Sequence, residues 1–195
     1  MILGITGGTG CGKTMLLRAV AERGGLALDC DAIYHRLLQT DPALLKAIGA
    51  RFPGTVTGGA LDRKALGTRV FADPQGLLDL NGITHGAVKA EVLRLLTPRP
   101  ALAAIDAIAL FEGGLGELCD VTVAVCAPEK VRATRLMARE GISRDYALAR
   151  IRAQARDAQF VQRCDYCLEN DGTLEDFQKK CLAFIDHILK KETVS

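Results

Sequence analysis

Ile2-Leu3-Gly4-Ile5-Thr6-Gly7-Gly8-Thr9-Gly10-Cys11-Gly12-Lys13-Thr14 is the stretch on which the reading of the fold turns. Ile2–Thr6 is almost wholly apolar or β-branched and predicts a buried strand, whereas Lys13 to Glu22 has apolar residues at helical spacing and stops at Gly24-Gly25. Between them, Gly7 to Thr14 fits G-x-x-x-x-G-K-[ST] in full. Glycines there permit positive φ, so backbone N–H groups can curl around phosphate oxygens, and the helix N-terminus adds unpaired donors and a partial positive charge. Lys13 is then expected to neutralise β- and γ-phosphates and Thr14 to offer its hydroxyl to Mg²⁺. The bland alternative is a structural glycine turn before a helix that happens to carry Lys-Thr; the strand-loop-helix order weighs against it. No G-x-G-x-x-G fingerprint occupies this loop, which disfavours a dinucleotide, and no Asn-Lys-x-Asp segment occurs, which favours ATP over GTP.

Outward from the loop, short β-rich segments alternate with longer helical ones. Strands are expected at Ile2–Thr6, Leu26–Asp29, Leu102–Asp106, Val121–Val125 and, more weakly, Tyr166–Leu168. Helices are expected at Ala32–Gln39, Pro42–Phe52, Asp62–Phe71 with Asp62 as a possible N-cap, Gln75–Leu96, Pro128–Glu140, Arg144–Gln162 and Leu174–Lys190 with Thr173 as cap. Pro53–Gly59 reads as a loop. The fold class is therefore α/β: a P-loop NTPase domain over residues 1–195, with a five-stranded parallel sheet flanked by helices. About 70 residues separate the second and third strands, far more than the dozen or so a crossover needs, so 32–98 reads as a helical substrate-binding insertion. Residues 128–163 form a second helical region; eight arginines and no lysine lie between Arg132 and Arg163, against three acids, which points to an anionic ligand or a solvated helical face.

Composition excludes several classes. With 49% apolar residues, 25% charged residues and a net charge of +2, there is no basis for bulk nucleic-acid or acidic-membrane binding. No signal peptide is evident and no apolar run approaches the ~20 residues of a membrane span, so a cytoplasmic protein is expected. The seven cysteines then read as reduced thiols. Cys164-Asp165-Tyr166-Cys167 spells C-x-x-C, but one pair supplies two ligands where structural zinc wants four, so packing is the better reading. Cys11, at a helix N-terminus, is expected to have a lowered thiol pKa and to be open to alkylation with protection by ATP.

Phosphoryl transfer asks for a carboxylate near Mg²⁺ and often a base for the acceptor hydroxyl. Asp29 and Asp31 directly follow the second strand, at the sheet edge where ligands gather in open α/β folds, and Asp31 can serve as base or as a helix N-cap. Asp106 ends the apolar run Ala101–Ile105, the strand-then-acid pattern of a metal-holding residue, with Glu112 a weaker candidate.

Several segments together resemble the dephospho-CoA kinase family: Gly4 to Thr14, Asp29-Cys30-Asp31, Leu61-Asp62-Arg63-Lys64-Ala65-Leu66 with Val70-Phe71, Leu80-Asn81-Gly82-Ile83-Thr84-His85, Asp106–Glu112, Arg135-Leu136 with Arg139, Gln154, and Asn170-Asp171-Gly172. The resemblance implies transfer from ATP to the ribose 3′-hydroxyl of 3′-dephospho-CoA, with Mg²⁺ and small-molecule partners only. It implies Asp31, Lys13 and Arg139 as catalytic residues, Arg139 and Arg135 acting from a mobile lid. It implies ATP binding by Gly8, Thr9, Gly10, Cys11, Gly12, Lys13, Thr14 and Met15, with Arg135, Arg139, Asn170 and Gly172. Arg63, Asn81 and His85, with Asp31 and Asp106, fall on the acceptor side, and Thr14 and Asp106 hold the metal. The sequence departs from the family at Cys11, where serine is usual, at Gly86 and Ile108, where proline is usual, and at Phe160, where lysine is common. Another small-molecule P-loop kinase and a catalytically silent ATP-binding module remain open as alternatives.

Overall fold

Every residue of β1 (Ile2–Thr6) is buried, as a strand covered on both faces of a parallel sheet must be. In the computed structural model, which describes residues 1–192, β1 is the middle strand of a five-stranded sheet of order β2-β5-β1-β6-β7. The others are β2 (Leu26–Asp29), β5 (Ala103–Asp106), β6 (Val121–Cys126) and β7 (Tyr166–Glu169), and every pairing is parallel. From β1 the chain crosses to β2 through α1 (Lys13–Glu22), and β6 and β7 lie on the opposite side of β1. The strand order thus reverses at β1, which puts the loop after it at the switch point where open α/β sheets bind ligands.

One face of this sheet is covered by α1 and the last helix, α9 (Leu174–Glu192); Leu3, Ile5, Leu16, Val20, Phe177 and Ile185 are buried together there. Phe177 is 1% exposed, so truncation to alanine would cost about 3–5 kcal/mol. Thr173 caps α9, its hydroxyl accepting from the Asp176 N–H at 3.1 Å. Against the other face Ala124 and Cys126 pack with Phe160. The helices after β6 are α6 (Glu129–Glu140), α7 (Arg144–Arg152) and α8 (Asp157–Val161), with Ala133 and Leu136 of α6 packed on Ala147 and Ile151 of α7.

The expected helix Arg144–Gln162 is therefore two helices, broken at residues 153–156. Gln154 sits in the break and spends its side-chain carbonyl on the Thr9 N–H at 2.7 Å, and Gln159 restarts the chain as α8 by accepting from the Arg156 N–H at 2.9 Å. Tertiary bonding there overrides helix propensity.

The chain divides into two compact units: residues 1–29, 99–110 and the described residues from Leu115 onward, and residues 30–98 with 111–114. The second holds α2 (Cys30–Thr40), α3 (Pro42–Arg51), α4 (Arg63–Phe71) and α5 (Pro74–Leu95), with α5 packed on the other three. Asp41, Asp62 and Asp73 cap α3, α4 and α5 through backbone N–H groups, and prolines open α3 and α5. Where a loop was expected, β3 (Val56–Thr57) pairs with β4 (Ala60–Leu61) in a hairpin closed by Gly58 and Gly59, with φ of 59° and 78°. Two consecutive positive φ angles are what a primed hairpin turn needs, and strands of two residues show no alternation to read.

Candidate active site

Gly7, Gly10 and Gly12 have φ of 134°, 76° and 106°, angles at which side chains are strained. Space forbids side chains as well: a Cβ would lie 2.2 Å from the Val125 carbonyl oxygen at Gly7 and 2.3 Å from Asn170 Nδ2 at Gly12. Gly12 is the N-cap of α1, with no side-chain cap and no acid in the first turn, so the positive end of the helix is left uncompensated. Lys13 folds its Nζ back to within 3.4 Å of the Gly8 carbonyl oxygen. Thr14 is exposed at the start of α1, while Met15 is half-buried against the sheet core.

The loop's carbonyls, which would repel an anion, are taken up by the protein's own donors. Arg132 Nε donates to the Thr9 oxygen at 2.8 Å, Arg135 Nη1 to the Gly10 oxygen at 3.4 Å, and Asn170 Nδ2 to the Cys11 oxygen at 2.8 Å. Arg135 also donates to Asn170 Oδ1 at 2.9 Å, and the Asn170 N–H to the Cys126 oxygen at 2.8 Å. Asn170 is 2% exposed. Its side chain braces the loop, and Gly172 stands exposed in the turn before α9.

Cys11 reverses the sequence expectation. Its side chain is fully buried, and desolvation pushes the thiol pKa up, outweighing Lys13, which pulls it down. Helix position lowers a thiol pKa only where water or a cation can share the charge. The Asp106 carboxylate adds to the upward push. Asp106 ends β5 in register with Ile5 of β1 and is 7% exposed. A carboxylate and the Thr14 hydroxyl are hard oxygen donors of the kind Mg²⁺ takes alongside water and phosphate oxygens. Glu112 lies in the turn spanning 108–114.

Of the arginine-rich region, Arg132 and Arg135 reach the loop. Arg139 does not: it is exposed and paired with Glu140 at 2.5 Å, and Glu140 also takes Arg150. Arg152 pairs with Glu129 at 3.0 Å. Within the C-x-x-C spelling, the Cys167 sulfur lies 3.7 Å from that of Cys126 on the neighbouring strand.

In the second unit, Asp31 is exposed in the first turn of α2, and His35 follows one turn later on the same face. Arg63, at the start of α4, brings Nη2 to 3.3 Å from His35 Nδ1. Burial raises the pKa of the adjacent Tyr34, with Arg63 opposing. Asn81 and His85 are half-buried one turn apart on α5. His35 was legible only as one turn beyond Asp31, and Arg132 had no signal to separate it from its neighbours.

A parallel sheet with a glycine loop of this geometry at its switch point defines a P-loop kinase fold. Solved structures agree: one from Thermus thermophilus matches with a TM-score of 0.79 at 34% identity, covering 96% of this chain and 97% of that one. A dephospho-CoA kinase from Campylobacter jejuni has the same fold, with a TM-score of 0.68 at 24% identity, covering 98% of each chain. The chain belongs to the dephospho-CoA kinase family, whose model matches residues 1–176. A curated dephospho-CoA kinase of Deinococcus radiodurans is 40% identical over 177 residues, 89% of this chain and 85% of that protein.

Proposed function

We propose that this enzyme transfers the γ-phosphoryl group of ATP to the ribose 3′-hydroxyl of 3′-dephospho-CoA, giving ADP and coenzyme A. The observation that carries the reading is the loop of residues 7–14: three positive-φ glycines, carbonyls bonded to the protein, and an uncompensated helix N-terminus beside Lys13. Such a loop receives phosphates with little rearrangement.

In this reading Lys13 and the loop of residues 8–15 bind the phosphates, and Arg135, Asn170 and Gly172 border the nucleotide. Thr14 and Asp106 would hold magnesium, which would supply charge neutralisation for the transferring group. Asp31 orients the acceptor hydroxyl and takes its proton. Residues 32–98 bind the acceptor, with Arg63 and His35 suited to a phosphate or ribose oxygen and Asn81 and His85 to the remainder. Arg139 exchanges Glu140 for the transferring phosphoryl group when the lid region 128–163 closes. The low net charge favours small-molecule partners over nucleic acid, and a cytoplasmic setting suits the seven free thiols. Among the described residues no helix is long and apolar enough to cross a membrane.

A coupled assay of ADP release across dephospho-CoA, adenosine, AMP, CMP and gluconate tests the acceptor. Release should require dephospho-CoA; faster turnover with any of the others, or ATP binding without release, would overturn the assignment.

A further inference from the structure

Arg132 is 4% exposed, an unusual place for a guanidinium, which brings five donors and a charge it cannot lose. Each of its three nitrogens is bonded: Nε to the Thr9 oxygen at 2.8 Å, Nη1 to Asp157 Oδ1 at 2.9 Å and Nη2 to Gln154 Oε1 at 3.4 Å. Gln154 Oε1 accepts the Thr9 N–H at 2.7 Å as well. Both backbone groups of Thr9 thus end on two side chains that are bonded to each other.

Gly8 gives an independent observation. It is not among the positive-φ glycines, so its backbone angles do not require glycine. A Cβ there would lie 2.0 Å from Arg132 Nη2 and 2.7 Å from its Cζ. The missing side chain at Gly8 is the space in which the guanidinium lies.

We propose that Arg132 is a positioning residue for the nucleotide. Through Thr9 it holds the loop in its phosphate-receiving form before ATP arrives, and Gly8 is glycine to admit it. Asp157 balances its charge and Gln154 completes the hold. Arg132 acts on the phosphates through Thr9 rather than by touching them. The break between α7 and α8, which carries Gln154, is accordingly anchored to the loop. The proposal rests on reading residues 7–14 as the ATP site, and ATP binding by the unaltered enzyme checks that reading separately.

The test is a double-mutant cycle on steady-state kinetics with the wild type, Arg132→Gln, Gly8→Ala and the double variant. Each single change should raise KM for ATP about tenfold while leaving KM for dephospho-CoA within about twofold. The double variant should be no worse than the poorer single, because the same contact is lost only once. Thermal melts with and without ATP accompany the kinetics, and the shift given by ATP should shrink in every variant. Arg132→Lys, keeping a donor and the charge beside Asp157, should recover part of the ATP affinity. Multiplying effects in the double variant, equal rises in both KM values, or an unchanged KM for ATP in Gly8→Ala would overturn the proposal. If Arg132→Gln does not fold, Gly8→Ala and Arg132→Lys decide it by the same readouts.

Discussion

Among the described residues Lys13 has a carbonyl, Gly8 O, within reach of its ammonium and no carboxylate bonded to it. Its charge is accordingly available to a phosphate, and Lys13→Ala should lower kcat/KM by on the order of a hundredfold or more without moving the melting temperature. Asp31→Asn keeps size and hydrogen-bonding capacity but loses basicity, so turnover should fall steeply while ATP still shifts the melting temperature; retained turnover would remove Asp31 from the chemistry. Arg139 is paired with Glu140 in this structure, so Arg139→Ala should lower kcat more than it alters KM for ATP. An unchanged kcat would leave Arg139 a surface charge. Burial gives the opposite expectation for thiol chemistry from the one the sequence gives: maleimide labelling read by mass spectrometry should find the exposed Cys167 early and the buried Cys11 late.

Helices and strands were legible where local signals and tertiary packing agree. Lys13–Glu22 runs from the loop to a glycine pair, and α1 occupies those same residues. Asp62 was readable as a cap because aspartate before a helix has a mechanism, and in the structure it accepts from the N–H groups of Lys64 and Ala65. Asp62→Ala should destabilise the chain by about 1 kcal/mol in urea unfolding, with no change in m-value. The break at 153–156 was not legible, because its cause is the Thr9 amide, 145 residues away along the chain. The β3–β4 hairpin escaped notice because each strand offers only two residues. For the site, a contiguous motif announces the loop, whereas the side chains that brace its carbonyls come from two distant segments, α6 and the turn after β7. Among those, Arg132 is one of eight arginines in a run, and only burial distinguishes it.

Across the molecule, charge pairs on both units set the response to acid. Hydrogen bonds from Gln75 and then Arg51 hold Asp79 below its usual 3.8, and those from Arg139 and then Arg150 hold Glu140 below its usual 4.5. Arg152 does the same for Glu129. Their folded pKa values are depressed, so their stabilisation is fully present above the usual carboxylate values and is lost as pH falls through the lower folded ones. Melting temperature should therefore be level from pH 7 to 5 and drop below 4. The drop should be shallower in 0.5 M salt, because these pairs are exposed and already screened. Long-range closure has one more consequence. The phosphate-binding turn is encoded within the first fourteen residues, yet the amide of Asn170 that holds its Cys11 carbonyl comes 159 residues later. During synthesis on the ribosome, the nascent chain carries an unfinished turn until β7 has emerged and docked, so nucleotide capture waits on residues made long after the loop itself.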